Sequence, residues 1–281
     1  MGGLFEDHRA VDIPVSTNLI TGRKTLYSIL EILVESPEPV EVAFKSLIQE
    51  SRPQVQQVVG PGNKWVTAAK AEVQGTVSID FLAGPSEVLV IADDTADPTL
   101  VAAELLAQAE HDPNSSVVAV TDSRETAEAV CATTLENIEE FERSEVIEAA
   151  LSQDASGVFL ADSVEEAAEF AEGYAAEHLV IQTERDEAVL DRIDSAGSVF
   201  LGEFTPVAAG DYATGTNHVL PTSAKAKIVG GLSVDTFLRA STVQRLDADA
   251  LSDLRETITT LARAEGLQAH ADSVERRYDD A

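Results

Sequence analysis

Between residues 87 and 201 the chain alternates short unbroken apolar runs with longer stretches whose apolar residues recur every three or four positions. The unbroken runs are EVLVIAD, SSVVAVT, GVFLA, HLVIQ and SVFLG. A strand that stays apolar at every position is buried on both faces, and strands of that kind separated by helices make a parallel sheet. The intervening stretches read as helices. One ends near AELLAQAEH, one opens at DSRETAEAV, one is SVEEAAEFAEGYAAE and one is ERDEAVLDRID. In the third, Ser163 and Glu166 have capping-box spacing. The expected fold is therefore α/β, a parallel sheet covered by helices. The sheet is expected to be an incomplete Rossmann-like one, and no GxGxxG dinucleotide fingerprint occurs in the chain.

Beyond the polar loop GDYATGTNHVLPT and the Gly230–Gly231 pair the pattern turns helical. Leu251, Leu254, Ile258 and Leu261 form an expected core stripe, Gly266 ends that helix, and a last helix carries Leu267 and Val274. At the other end, TLYSILEILVE reads as a helix and SPEPVE as a turn, but residues 1–57 carry no motif. The expected organisation is an atypical segment 1–57, a short piece 58–82, an α/β domain 83–232 and a helical appendage 233–281.

Charge alters this picture more than any other bulk property. Fifty acidic residues oppose 19 basic ones in 281, a net charge of −31 spread along the whole chain. Such a surface repels nucleic acid and anionic membranes, and its self-repulsion is tolerable where salt screens it. This predicts a salt-adapted protein. No run is apolar enough to span a bilayer and the N-terminus lacks a signal-peptide layout, so the expected compartment is the cytoplasm. The single cysteine, Cys131, excludes an internal disulfide and is expected to be a small buried hydrophobe.

Several polar residues fall where apolar ones are expected. Gln108 and His111 continue the stripe begun by Val101 and Leu105. They are either a helix-capping histidine over a satisfied amide or two groups aimed at one point. Glu177 and His178 open an apolar strand, and a carboxylate beside an imidazole is the usual means of moving protons near neutral pH. Neighbours in a strand face opposite ways, so both reach one site only if the backbone turns there. Asp211 and His218 are the ionisable members of the polar loop, placed by the strand order at the edge where open sheets bind ligands. Glu265 extends the stripe of the first C-terminal helix and His270 lies between Leu267 and Val274, as a salt-bridged core pair or as site residues. The Gly-Pro turns in VGPGNKW and AGPSEVL allow close backbone approach, including to phosphate.

Together the strings VGPGNKWVTAAK, AGPSEVLVIAD, AELLAQAEH, YAAEHLVI, AGSVFLGEFTP, GDYATGTNHVLPT, GLSVDTFLR and EGLQAHADSVERR resemble the histidinol dehydrogenase family, in that family's order. The resemblance implies zinc- and NAD-dependent oxidation of L-histidinol to L-histidine through the aldehyde, the last step of histidine biosynthesis. It implies Gln108, His111, Asp211 and His270 as zinc ligands. Glu177 would activate the water that hydrates the aldehyde, and His178 would serve as general acid/base. Substrate contacts would fall on Ser86, His218 and Glu265 as well as on the metal ligands. Asn63 would touch NAD. A homodimer whose C-terminal appendages cross between subunits is also implied.

The family's NAD-binding strings that precede the GPGN turn have no counterpart in residues 1–57. That leaves an impaired enzyme, or a zinc-binding fragment or assembly partner, as the alternative expectation. A related zinc and NAD alcohol dehydrogenase with another substrate and a zinc hydrolase using Glu177 are further rivals, separable by substrate turnover and by dependence on NAD.

Overall fold

The computed structural model describes residues 56–60, 62 and 64–278. The chain separates into two compact units, the first ending at Thr236 and the second running from Phe237. The expected helix in TLYSILEILVE and Asn63 lie outside the described residues.

The first unit is built on five parallel strands, β3 (Glu87–Ala92), β4 (Ser116–Thr121), β5 (Gly157–Leu160), β6 (His178–Gln182) and β7 (Ser198–Leu201). Their order across the sheet is β5-β4-β3-β6-β7. A two-stranded parallel pair, β1 (Gln57–Val58) and β2 (Ser78–Ile79), precedes it together with helix α1 (Lys64–Val73). There Lys70 and Asp80 form a buried pair at 2.6 Å.

Alternation along the strands sends side chains into two layers. On one face Val88, Val90, Val117, Ala119 and Val180 pack against helices α2 (Pro98–Ala109), α3 (Arg124–Asn137) and α4 (Ser144–Leu151). On the other, Leu89, Ile91, Val118, Val120, Leu179 and Ile181 meet α5 (Val164–Tyr174) and α6 (Asp186–Leu190). Both faces of the three central strands, β4, β3 and β6, are covered, which is why their middles are apolar throughout, whereas the edge strand β5 leaves Phe159 and Leu160 exposed.

The helix starts follow the sequence. Asp97 caps α2 ahead of Pro98, Ser123 caps α3, and the Ser163 hydroxyl accepts the Glu166 N–H. Glu166 reaches back to the Asp162 N–H, one residue beyond a standard capping box.

Cys131 is exposed, not buried. The buried residues of α3 are Thr126, Val130 and Thr134, a stripe of four-residue steps, and Cys131 lies about 100° further round the helix. Among the described residues no helix is long and apolar enough to cross a membrane.

The second unit contains α8 (Ala248–Ala264) and α9 (Gln268–Glu275), joined at Gly266 with φ +75°. The expected core stripe is corrected here. Leu254 and Leu261 are exposed, at 43% and 60%. What α8 buries is Thr259 and Ala262, and α9 buries Ala271 and Val274. Arg255 and Arg263 bond Glu275, and Arg255 also stacks over the Tyr278 ring.

Candidate active site

Ser86 and Glu177 directly precede β3 and β6, and His178 is the first residue of β6, paired in register with Val88. The backbone turn that lets neighbouring residues share one site is present. Helix α5 ends on Ala175 in the left-handed conformation, φ 56° and ψ 57°, so the chain swings into the strand through Glu177. Gly197 permits this, since a Cβ there would lie 2.5 Å from the Glu177 carbonyl oxygen. The Ser198 N–H donates to that same oxygen at 2.9 Å.

Helix α7 (Val207–Tyr212) carries the chain from the end of β7 back across the sheet, and Asp211 stands on its last turn. The string GDYATGTNHVLPT thus begins helical, and only its later part is loop. Ser86, His111, Glu177, His178, Asp211 and His218 line one cavity of about 230 Å³.

The site therefore lies at the amino edge of the parallel sheet, whereas the strand order predicts the carboxyl edge. The physical reason is the return of α7, together with α2, which brings Gln108 and His111 to the same edge just before β4. A second cavity, of about 250 Å³, does lie beyond the carboxyl ends, lined among others by Asp93, Asp122, Thr183 and Arg185. None of the expected site residues belongs to it.

The two central groups are buried and held by directed bonds. Glu177 Oε2 accepts from the Ser86 hydroxyl at 2.5 Å and from the Glu87 N–H at 3.0 Å, so its other oxygen is the one left for chemistry. Burial drives the Glu177 carboxyl up to about 7, with the carboxylates of Glu87 and Asp211 adding to the effect and the two donors opposing it. His178 Nδ1 stands 3.1 Å from the Glu87 carbonyl oxygen, a bond that requires the proton on Nδ1. Its Nε2 is buried without a hydrogen-bond partner, 3.8 Å from Asp211 Oδ1, too long for a hydrogen bond. Burial also lowers the His178 imidazole below its ordinary value, against the opposing pull of Asp211. The ring is neutral near pH 7, with a lone pair on Nε2, so its contacts with Glu177 and Asp211 are not ion pairs there.

The other expected residues divide. Gln108 is 3% exposed, at the close of α2, and its buried Nε2 has no hydrogen-bond partner among the described residues. His111, the next turn on, is exposed in the turn after α2, bonded through its N–H to the Gln108 carbonyl. His218 is exposed as well. Glu265 and His270 belong to the second unit and are exposed, not a buried core pair.

Among the described residues no three His, Cys, Asp or Glu side chains form a metal-holding group. The donor set implied for zinc differs in kind, since it includes an amide and a residue of the second unit. The donor types fit that ion: His111 and Asp211 line one cavity, and imidazoles, a carboxylate and an amide oxygen are nitrogen and oxygen donors of the sort Zn²⁺ accepts.

Two residues escaped sequence reading. Glu87 supplies backbone bonds to both Glu177 and His178. Glu104, buried on α2, accepts the Val207 N–H that starts α7, and burial raises its carboxyl. The available signal was a carboxylate set into an otherwise apolar strand or helix face.

Comparison with known proteins identifies the family. The family model described as histidinol dehydrogenase matches residues 42–278, beginning ahead of the Gly-Pro turn where the motifs start. Histidinol dehydrogenases of Natronomonas pharaonis and Halobacterium salinarum are each 67% identical, over 82% and 80% of this chain. The chain spans about half the length of these relatives, 54% and 53%. The crystal structure of histidinol dehydrogenase from Elizabethkingia anophelis superposes with a TM-score of 0.79 at 39% identity, covering 85% of this chain and 55% of that one. Family match, relatives and fold agree, and the chain belongs to the histidinol dehydrogenase family.

Proposed function

We propose that this chain carries the substrate-binding, metal-holding and proton-transfer residues for oxidation of L-histidinol to L-histidine through the aldehyde. The observation that supports this best is the Glu177–His178 pair at one cavity with Ser86, Asp211 and His218, with the His178 Nε2 lone pair unpartnered. When bound, zinc held by Gln108, His111, Asp211 and His270 would anchor the substrate's nitrogen donors and NAD⁺ would take up hydride.

The chain's own residues manage protons. His178 Nε2 receives the hydroxyl proton as the alcohol becomes aldehyde, while Nδ1 stays bonded to the Glu87 carbonyl. Glu177, poised near neutrality, takes a proton from the water that adds to the aldehyde. Ser86 orients Glu177 and, with His218 and Glu265, contacts substrate. Asn63 contacts the nucleotide. The working form is a homodimer in the cytoplasm, with Glu265 and His270 supplied to a neighbouring copy. The exposed apolar residues Leu254, Leu261 and Leu267 of the second unit support this, as a face that gains from cover.

The test is NADH formation by the purified zinc-loaded chain with histidinol, with and without NAD⁺. Histidinol-dependent NADH supports the reading. Zinc binding with no turnover would reduce it to a metal-binding member of the family, and turnover without NAD⁺ would point to hydrolysis.

A further inference from the structure

Glu87 opens β3 as its one charged residue, and its backbone and side chain face different partners. Its N–H donates to Glu177 Oε2 at 3.0 Å and its carbonyl accepts from His178 Nδ1 at 3.1 Å. A single residue thus holds the backbone bonds that orient both members of the acid/base pair. Its side chain runs elsewhere. Oε1 accepts the Ser223 N–H at 2.8 Å, and Oε2 is buried without a partner.

The turn that this carboxylate grips is strained. Ser223 and Ala224 both have φ +58°, two successive non-glycine residues in the left-handed region. Such a turn persists only where its surroundings hold it. Here the Gly84 N–H donates to Thr222 Oγ1, and Lys225 Nζ donates to the Leu82 carbonyl. The approach is so close that a Cβ on Gly84 would lie 2.6 Å from Ser223 Oγ. The glycine of the AGPS turn therefore admits the chain's own 222–224 turn, where sequence reading allows a ligand.

The geometry points to Glu87 as a positioning residue, whose reach to Ser223 fixes the peptide that orients Glu177 and sets the tautomer of His178. This rests on the acid/base reading of that pair. The carboxylate acts by length: it locks the residue-87 backbone between the strained turn and the site. Its side chain is not among those that line the site cavity.

Two mild variants of the full chain separate reach from charge. Glu87→Gln keeps an oxygen at the same length for the Ser223 N–H, whereas Glu87→Asp keeps the charge and falls one methylene short. The readouts are the His178 tautomer, from long-range proton–nitrogen correlation with His178→Asn for assignment, and the steady-state constants for histidinol. Glu87→Gln should keep the single Nδ1–H tautomer and a kcat within about threefold of wild type. Glu87→Asp should show mixed tautomers and lose about tenfold or more in kcat with KM little changed, as expected when a catalytic group is displaced by a fraction of an ångström. A Glu87→Asp protein with wild-type tautomer and kcat overturns the assignment. So does a Glu87→Gln protein as impaired as Glu87→Asp, since charge would then be what matters. The tautomer needs no turnover, so a wild-type chain that fails to oxidise histidinol would sink the functional reading while the positioning role is still judged.

Discussion

Ionising Glu177 inside the fold costs free energy, because its carboxyl sits at about 7 against an ordinary 4.5. The folded state therefore binds the proton more tightly than the unfolded chain between those two values. Stability contributed by that proton is complete below the lower value and lost as pH rises through the upper one. In metal-free protein, Glu177→Gln should raise stability at pH 8 by on the order of 1–3 kcal/mol and give no gain below pH 4. Thermal midpoints measured at both pH values check this, and an equal gain at both would mean that burial of charge is not the cause. The same variant should retain zinc but oxidise the aldehyde slowly, since an amide takes no proton from water. Separately, His111→Ala and Asp211→Ala should each lose zinc on dialysis, a tenfold or greater fall in affinity of the order seen when metal-site groups are removed. Unchanged metal content in both would remove the proposed site.

At the level of elements, the strands were legible because sheets covered on both faces demand unbroken apolar runs, and β3, β4 and β6 are buried along their length. The cap at Ser163 was legible for a similarly local reason: a side-chain oxygen meets a free N–H within three residues. Sequence position alone could not say which edge of the sheet the polar residues reach. That depended on α7 folding back, a tertiary event, and spacing misread α8 because an apolar stripe looks alike whether or not this chain covers it. The Glu177–His178 pair was visible as residue types, but Glu87 was not, since its bonds to both are made by its backbone. One close contact between elements gives a sharp expectation. Gly197→Ala would drive a methyl onto the Glu177 carbonyl where β6 and β7 pair, 2.5 Å away before any shift. Urea unfolding should show a loss of about 1–3 kcal/mol, with turnover falling more than stability alone explains. A midpoint equal to wild type would mean that the two strands part without cost.

For the whole molecule, a net charge of −31 makes solvent composition part of the stability. Raising salt from about 0.1 M to 1 M shortens the screening length from about 10 Å to about 3 Å, and the self-repulsion of the acidic surface declines with it. The thermal midpoint should therefore climb across that range, and a flat profile would refute salt adaptation. Assembly belongs to the same scale. Sedimentation of zinc-loaded protein at micromolar concentration should show a dimer, and a monomer with full zinc occupancy would contradict the exchange of His270 between copies.

The placement of Ser86, Glu177 and His178 where strands begin has a consequence for how this fold can vary. The connections that leave β3, β4 and β6 at their far ends, around Asp93, Asp122 and Thr183, are separated from the proton-transfer pair by the length of the sheet. A surface turn there, such as Asp122 with its exposed side chain, is expected to accept a foreign peptide while the proposed proton-transfer pair keeps its geometry. The sheet then works as a spacer: the residues proposed for proton transfer stand on one rim, and a graft on the other is held away from them by the full length of the strands.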